Sequence, residues 1–173
     1  FFSLLSVKSV KSVVPNLQSS IFNLQLIRMK HILIVDDDVA VTNYFKVFIA
    51  QTGLFETTVV NDPREVMALF EKEKFDLVLL DMDMPNISGM DILHNMNTHA
   101  INIPVVVLTG VNDVDLAVKS MKLGAFDYIV KPVEDDKLLK TIDEALKHSV
   151  LHKSIDELPK TLTHKQLVNK DAF

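Results

Sequence analysis

The chain has 173 residues, 48% of them hydrophobic, and a formal net charge of −5. These values predict one packed domain with tails and exclude a chain that is disordered throughout. Cysteine is absent, which excludes disulfides, thiolate metal sites and cysteine nucleophiles and fits a cytoplasmic protein. No apolar run approaches the roughly 18 residues that a membrane span needs, so we expect no membrane association.

The charge is unevenly distributed. All 23 acidic residues lie after residue 30, together with 14 of the 18 basic residues, so this part carries a net charge of −9. Such an acidic domain is a poor binder of nucleic acid, and we expect no direct nucleic acid binding by this chain.

Residues 1–29 are predicted to be an N-terminal extension that is disordered or not native. The segment is rich in Ser, Val and Leu, and Met29-Lys30 directly before the first strand looks like a natural start. A basic leader without acidic residues is also typical of a transit peptide, which stays an alternative.

Five short apolar segments predict five β-strands. They cover residues 31–35, 57–61, 77–81, 103–108 and 126–130. Continuous apolar runs of this length are typical of strands that are buried on both faces of a parallel sheet.

Helical spacing of apolar residues predicts one helix after each strand. The first, over about 39–51, is expected to stop at Gly53 and to bury Val41, Tyr44, Phe45, Phe48 and Ile49. The second begins at Asp62-Pro63 and has the apolar stripe Val66, Met67, Leu69 and Phe70.

The last three helices follow the same pattern. The third carries Met90, Leu93 and Met96. The fourth runs from residue 111 or 112 to Lys122 and is expected to turn inward Leu116, Ala117, Val118, Met121 and Leu123. The fifth covers about 134–150 and presents Leu138, Leu139, Ile142, Ala145 and Leu146.

This alternation predicts an α/β fold of the flavodoxin-like class. We expect a doubly wound, five-stranded parallel sheet in the order 2-1-3-4-5 with helices on both faces. The domain is predicted to cover residues 30–150, and residues 151–173 to form a C-terminal linker or tail.

Polar residues follow the predicted strands where each one ends. Asp36 and Asp37 follow strand one, Asp81 strand three, Thr109 strand four and Lys131 strand five. The carboxyl ends of parallel strands share one edge of the sheet, so these groups should converge there. Carboxylates from two strands suit Mg²⁺, and Asp81 can keep one oxygen free as a nucleophile. Lys131 and Thr109 can then hold phosphate oxygens.

The residues at these strand ends resemble the receiver domains of two-component response regulators. The matching motifs are Ile32-Leu33-Ile34-Val35-Asp36-Asp37, Leu79-Leu80-Asp81-Met82-Asp83-Met84-Pro85 with Gly89, Val107-Leu108-Thr109-Gly110 and Asp127-Tyr128-Ile129-Val130-Lys131-Pro132. The resemblance covers about residues 30–150 and rests on specific motifs.

The resemblance implies a role for each motif residue. Asp81 accepts a phosphoryl group from the phosphohistidine of a sensor histidine kinase or phosphotransfer protein. The Mg²⁺ site consists of Asp81, of Asp37, which binds the ion directly, of Asp36, which binds it through water, and of Asp83, which binds it through its backbone carbonyl. Thr109 and Lys131 bind the phosphoryl oxygens.

The resemblance also implies a phosphorylation-activated switch. Tyr128 is expected to turn inward when Thr109 moves, which changes the surface of helix 4, strand 5 and helix 5. That surface is expected to contact an effector, in transcription regulation, or a second copy in a homodimer.

Two positions depart from the usual family pattern. Asp83 is the second residue after Asp81, and Val111 is the second after Thr109. In this family these positions influence how water reaches the phosphoryl group, and Val111 cannot orient a water molecule. We therefore expect slow self-dephosphorylation.

One other interpretation of the site and two interpretations of the output stay open. A phosphatase of the haloacid dehalogenase type also uses a strand-end Asp with a second acid two residues on, but here the order of motifs argues against it. The chain could also be a stand-alone receiver that acts by protein contact, or the front of a regulator with a sigma-54-type ATPase. The chain itself has no Gly-rich phosphate loop, so we expect no ATPase within it. The resemblance implies a phosphoacceptor switch that catalyses only its own phosphorylation and dephosphorylation, and not an enzyme.

Overall fold

A computed structural model describes the backbone of residues 28–156 and the side chains of residues 28–150. Our predictions for residues 1–27 and for the tail after residue 156 lie outside the described residues. Within the part of the chain that is described, no helix is both long enough and apolar enough to cross a membrane.

Strands and helices alternate along the chain. The elements are β1 (Lys30–Val35), α1 (Val39–Gln51), β2 (Phe55–Val60), a 3-10 turn (Pro63–Glu65), α2 (Val66–Lys72), β3 (Leu77–Asp81), α3 (Gly89–Thr98), β4 (Val105–Thr109), α4 (Val114–Lys122), β5 (Asp127–Val130) and α5 (Asp135–Asp156). The last helix therefore continues beyond residue 150, where the domain was predicted to end.

The five strands form one parallel sheet in the order β2-β1-β3-β4-β5. This order confirms the predicted fold class and topology. Because the strands are parallel, the residues that follow β1, β3, β4 and β5 lie at the same edge of the sheet.

The hydrophobic core has two parts, one on each face of the sheet. Alternate residues of the central strands point to opposite faces, as Leu33 and Ile32 of β1 do. One face is covered by α2, α3 and α4, and the other by α1 and α5. The central strands are buried on both sides, which explains their unbroken apolar runs.

Three side chains that we expected in the core are exposed instead. Tyr44 is 50% exposed because its hydroxyl reaches Asp135 at the start of α5, with an Oη to Oδ1 distance of 2.5 Å. Val118 and Met121 of α4 are 45% and 46% exposed. Helix α4 instead buries Ser120, whose hydroxyl donates to the Ala117 carbonyl of the same helix. A polar side chain that hydrogen-bonds within its own helix can face the core. A prediction based only on residue polarity therefore placed Val118 and Met121 on the wrong face of α4.

Several boundaries also differ from prediction. Strand β2 begins two residues earlier than expected, at Phe55, and β4 begins two residues later, at Val105. Helix α4 begins at Val114 because the Asp113 side chain accepts from the amides of Asp115 and Leu116 and caps it. The segment after Asp62 starts as a 3-10 turn before α2 begins.

Helix α3 approaches the end of β3 so closely that Gly89 has no space for a side chain. A Cβ atom on Gly89 would lie 2.2 Å from the Asp81 carbonyl oxygen and 2.7 Å from the Met82 sulfur. The Gly89 amide also donates to the Met82 carbonyl at 3.3 Å. This glycine therefore sets the distance between α3 and the strand end that carries Asp81.

We predict that Gly89→Ala lowers the free energy of unfolding by about 1–3 kcal/mol, because backbone atoms must move to admit the methyl group. Urea unfolding measures the loss. Gly110→Ala is the matched control, since a Cβ there meets its nearest neighbour at 3.9 Å. Equal stability of the two variants would contradict the prediction.

The carboxylate of Asp76 fixes the beginning of β1 beside β3. It accepts from the His31 amide at 2.9 Å and pairs with Lys30 at 3.0 Å and with Arg28 at 3.3 Å. Burial alone would raise the pKa of Asp76, but the hydrogen bonds from His31 and Lys30 and the two positive charges outweigh it and hold the pKa below its ordinary value.

We predict that Asp76→Asn destabilises the protein more at neutral pH than at acid pH. The folded state binds the proton of Asp76 less readily than the unfolded chain, so the stabilisation is complete above about pH 4 and is lost as pH falls through the folded pKa. Urea unfolding from pH 7 to pH 3 tests this, with the exposed Asp143→Asn as control. A difference from wild type that stays constant with pH would contradict it.

Candidate functional site

Four elements bring their polar residues to one edge of the sheet. Asp36 directly follows β1, and Asp81 is the last residue of β3. Asp81 pairs with Leu108, one residue before Thr109, and Thr109 pairs with Val130, one residue before Lys131. The structure thus brings together the strand-end residues that the sequence predicted.

Lys131 lies between two buried carboxylates. Its ammonium nitrogen is 2.7 Å from Asp36 Oδ2 and 2.6 Å from Asp81 Oδ1. The two acids are only 2% and 3% exposed. The peptide bond that follows Lys131 is cis. One cation thus joins the ends of β1, β3 and β5.

Burial and the neighbouring charges shift both partners of the pair between Asp81 and Lys131. Burial raises the pKa of Asp81, aided by the nearby Asp36 carboxylate and opposed by Lys131 and the Asp83 amide. Burial would lower the pKa of Lys131, but its hydrogen bonds to Asp36 and Asp81 outweigh burial and raise it. Lys131 therefore stays charged beside the two acids.

Asp36, Asp37 and Asp81 form an acidic cluster that suits a hard cation. One carboxylate oxygen from each lies within 4.8 Å of the others, and Asp37 is exposed. Oxygen ligands of this kind, with an open side for water, are those that Mg²⁺ prefers. Asp38 does not belong to the cluster, because its carboxylate caps α1 by accepting from the amides of Ala40 and Val41.

Backbone amides orient the two buried acids. Asp81 Oδ2 accepts from the Asp83 amide at 2.9 Å, and Asp36 Oδ1 accepts from the Asp38 amide at 2.9 Å. The Asp83 side chain itself is exposed. Each buried carboxylate thus has one oxygen on an amide and the other on Lys131.

Thr109 and Tyr128 both form a hydrogen bond with Val111, which lies on the loop between β4 and α4. The fully buried Thr109 hydroxyl accepts from the Val111 amide at 3.1 Å. The Tyr128 hydroxyl, on β5, donates to the Val111 carbonyl at 2.8 Å. Val111 is therefore bonded on its amide to Thr109 and on its carbonyl to Tyr128.

The sequence reasoning missed Asn61 and Thr42, which are linked by hydrogen bonds to the cluster residue Asp36. Asn61, which follows β2, donates to the Asp36 carbonyl and to the Thr42 hydroxyl of α1. The sequence did offer a signal, because Asn61 is an amide residue at the end of a strand that neighbours the acidic run. We had assigned Asn61 only as the last residue of that strand.

Comparison with known proteins places this arrangement in a family. A family model described as the response regulator receiver domain matches residues 32–143. The chain belongs to this family. Receiver domains are phosphoacceptor switches that interact with histidine kinases or phosphotransfer proteins and generally bind Mg²⁺.

Curated relatives are regulatory proteins that are longer than this chain. It is 35% identical over 129 residues to the transcriptional regulatory protein ZraR of Klebsiella oxytoca, covering 74% of this chain and 29% of that protein. It is 35% identical to the regulatory protein AtoC of Escherichia coli strain K12, covering 78% of this chain and 29% of that protein. The chain therefore spans less than a third of these two relatives.

Solved structures share the fold. A CheY-like receiver domain protein from Methanospirillum hungatei is 31% identical with a TM-score of 0.68, over 72% of this chain and 99% of that one. The receiver domain of a Luxo repressor protein from Vibrio parahaemolyticus gives a TM-score of 0.70 at 27% identity, over 75% of this chain and 98% of that one. The receiver interpretation and its fold are thus confirmed.

Proposed function

We propose that Asp81 of this chain accepts a phosphoryl group from the phosphohistidine of a sensor kinase or phosphotransfer protein. The observation that carries the proposal is the Asp81 carboxylate at a buried strand end, with one oxygen on Lys131 and the other on the Asp83 amide. A Lys131 ammonium 2.6 Å away fixes the orientation of the acid and leaves a positive charge where a phosphoryl group would arrive.

The transfer breaks the phosphorus–nitrogen bond of phosphohistidine and forms a phosphorus–oxygen bond to Asp81, while the released imidazole takes up a proton. Lys131 then exchanges its bond to Asp81 for one to a phosphoryl oxygen, and the Thr109 hydroxyl donates to another. Asp36, Asp37, Asp81 and the Asp83 carbonyl would hold Mg²⁺, whose charge, when it is bound, offsets that of the phosphoryl oxygens.

The switch follows from the two bonds on Val111. When the Thr109 hydroxyl moves to a phosphoryl oxygen, its hydrogen bond from the Val111 amide must stretch or pull Val111 with it. The Val111 carbonyl accepts from the Tyr128 hydroxyl, so a movement of Val111 also acts on Tyr128. The loop leads directly into α4, so phosphorylation biases the surface of α4, β5 and α5. This is the proposed contact with an effector or with a second copy of the chain.

We further propose that the output is transcription regulation, with this chain as the front of a longer regulator such as a sigma-54-type activator. The supporting observation is that curated relatives of this chain are named as regulatory proteins and that it spans 29% of ZraR and of AtoC. A receiver that acts alone through protein contact is the alternative output.

Incubation with acetyl phosphate and Mg²⁺ is expected to add one phosphoryl group to the wild-type chain, as measured by intact mass. The gain should disappear in Asp81→Asn and after removal of Mg²⁺ by a chelator. Asp143→Asn is the control, because this exposed carboxylate on α5 lies outside the acidic cluster. No gain in the wild-type protein would contradict the proposal.

A parallel assay with a small phosphate ester distinguishes the receiver from the phosphatase alternative. Steady release of phosphate from a small phosphate ester, without a stable gain of mass, would favour an enzyme of the haloacid dehalogenase type. A chain that shows neither reaction would be a receiver that signals by binding alone.

We predict that Val111→Glu shortens the lifetime of the phosphorylated protein severalfold. The Val111 side chain is 48% exposed beside the site, so a carboxylate there can orient an attacking water molecule. The backbone bonds of residue 111 to Thr109 and Tyr128 do not depend on its side chain. Decay of the phosphorylated mass after removal of the donor measures the lifetime, with Val111→Leu as the apolar control. An unchanged lifetime in Val111→Glu would contradict the prediction.

A further inference from the structure

The side chain of Asn61 joins the end of β2 to the loop between β1 and α1. Its amide nitrogen Nδ2 donates to the Asp36 carbonyl oxygen at 2.7 Å and to the Thr42 hydroxyl at 3.0 Å. One amide group therefore contacts both the backbone of a cluster residue and the first turns of α1.

Thr42 is built to receive this contact. Its side chain is fully buried, and its hydroxyl donates to the Val39 carbonyl at 3.1 Å. With its only proton used in this way, the hydroxyl oxygen is available to accept from Asn61. The Thr42 amide also donates to the carbonyl of the N-cap residue Asp38 at 3.0 Å, so Thr42 is bonded to the end of the loop as well as to the first residue of α1.

The loop that is fixed in this way contains Asp37. On one side, the Asp36 amide donates to the Val60 carbonyl at 3.3 Å, and on the other the Asp38 amide donates to Asp36 Oδ1 at 2.9 Å. The Asp37 carboxylate is exposed, yet it lies within 4.8 Å of the buried pair. Its place in the cluster is therefore set by the backbone on either side of it.

We propose that Asn61 is a positioning residue for the acidic cluster, holding the backbone of Asp36 so that the Asp37 carboxylate faces those of Asp36 and Asp81. It acts through the Asp36 carbonyl and Thr42 and does not contact the cation or the phosphoryl group. The assignment rests on the proposed function, in which this cluster binds Mg²⁺. Groups that orient metal ligands in this way typically change metal affinity by about 10–100-fold when they are removed.

The test is titration of the chelator-treated 173-residue chain with MgCl₂ in a calorimeter. Asn61→Leu keeps most of the side-chain volume and removes both hydrogen bonds, so we expect its Kd for Mg²⁺ to rise about tenfold. Thr42→Val removes the hydroxyl that Asn61 contacts and should raise the Kd less. Thr42→Ser keeps that hydroxyl and should bind Mg²⁺ as the wild-type chain does.

Asn97→Ala is the control for a general loss of stability. Asn97 also donates its amide to a backbone carbonyl of another segment, that of Leu123 at 3.4 Å, but close to the start of β4 and not to the strand ends that carry the cluster. The Asn97→Ala variant should bind Mg²⁺ with wild-type affinity. This should hold even if its melting temperature without metal falls as much as that of Asn61→Leu. An unchanged Kd in Asn61→Leu, with only a lower melting temperature, would overturn the assignment.

Phosphorylation by acetyl phosphate gives a second readout. In Asn61→Leu the Mg²⁺ concentration for half-maximal labelling should rise with the Kd, while labelling at saturating Mg²⁺ should return to the wild-type level. Reduced labelling at saturating Mg²⁺ would overturn the assignment, because Asn61 would then act on the transfer itself. If Asn61→Leu does not fold, the Kd values of Thr42→Val and Thr42→Ser for Mg²⁺ test the assignment instead. Equal values for these two variants would overturn it. A wild-type chain that binds no Mg²⁺ would instead overturn the proposed function, and this assignment with it.

Discussion

The Lys131 ammonium between the carboxylates of Asp36 and Asp81 is the interaction on which the site depends. Two acids that are almost fully buried repel each other and are costly to ionise without a partner. Lys131 offsets this cost by bonding to one oxygen of each. With Asp37 included, three carboxylates still face one ammonium, and this excess of negative charge is what makes the cluster suitable for a divalent cation.

The parallel sheet makes this arrangement possible because it places the ends of β1, β3, β4 and β5 at one edge, where the Lys131 side chain reaches past β4 to Asp81 and Asp36. Strand ends are rigid, and their neighbouring amides can each hold one carboxylate oxygen, as those of Asp38 and Asp83 do. The same closeness requires Gly89, since any side chain there would displace the carbonyl of Asp81 itself. Packing and chemistry therefore constrain the same few atoms at the end of β3.

Much of this could be predicted from the sequence because burial on both faces leaves unbroken apolar runs, and each run ends at a polar residue of the site. Helix faces were less predictable. Tyr44 has an apolar ring with a polar tip that finds Asp135, and α4 turns the self-satisfied Ser120 inward and leaves Val118 outside. Asn61 was missed because its role depends on a contact with a backbone carbonyl 25 positions away, which no local pattern records.

The contacts on Val111 support the proposed route by which a change at one strand end would reach the surface. The buried Thr109 hydroxyl and the half-buried Tyr128 do not need to touch, because both are bonded to the backbone of the same residue. A shift of that residue therefore alters both bonds at once, whatever side chain it carries. Val114, at the start of α4 three residues later, is 72% exposed, so a small shift of this loop moves apolar surface that is already open to a partner. The proposed switch thus needs no large rearrangement of the core, which close packing would resist.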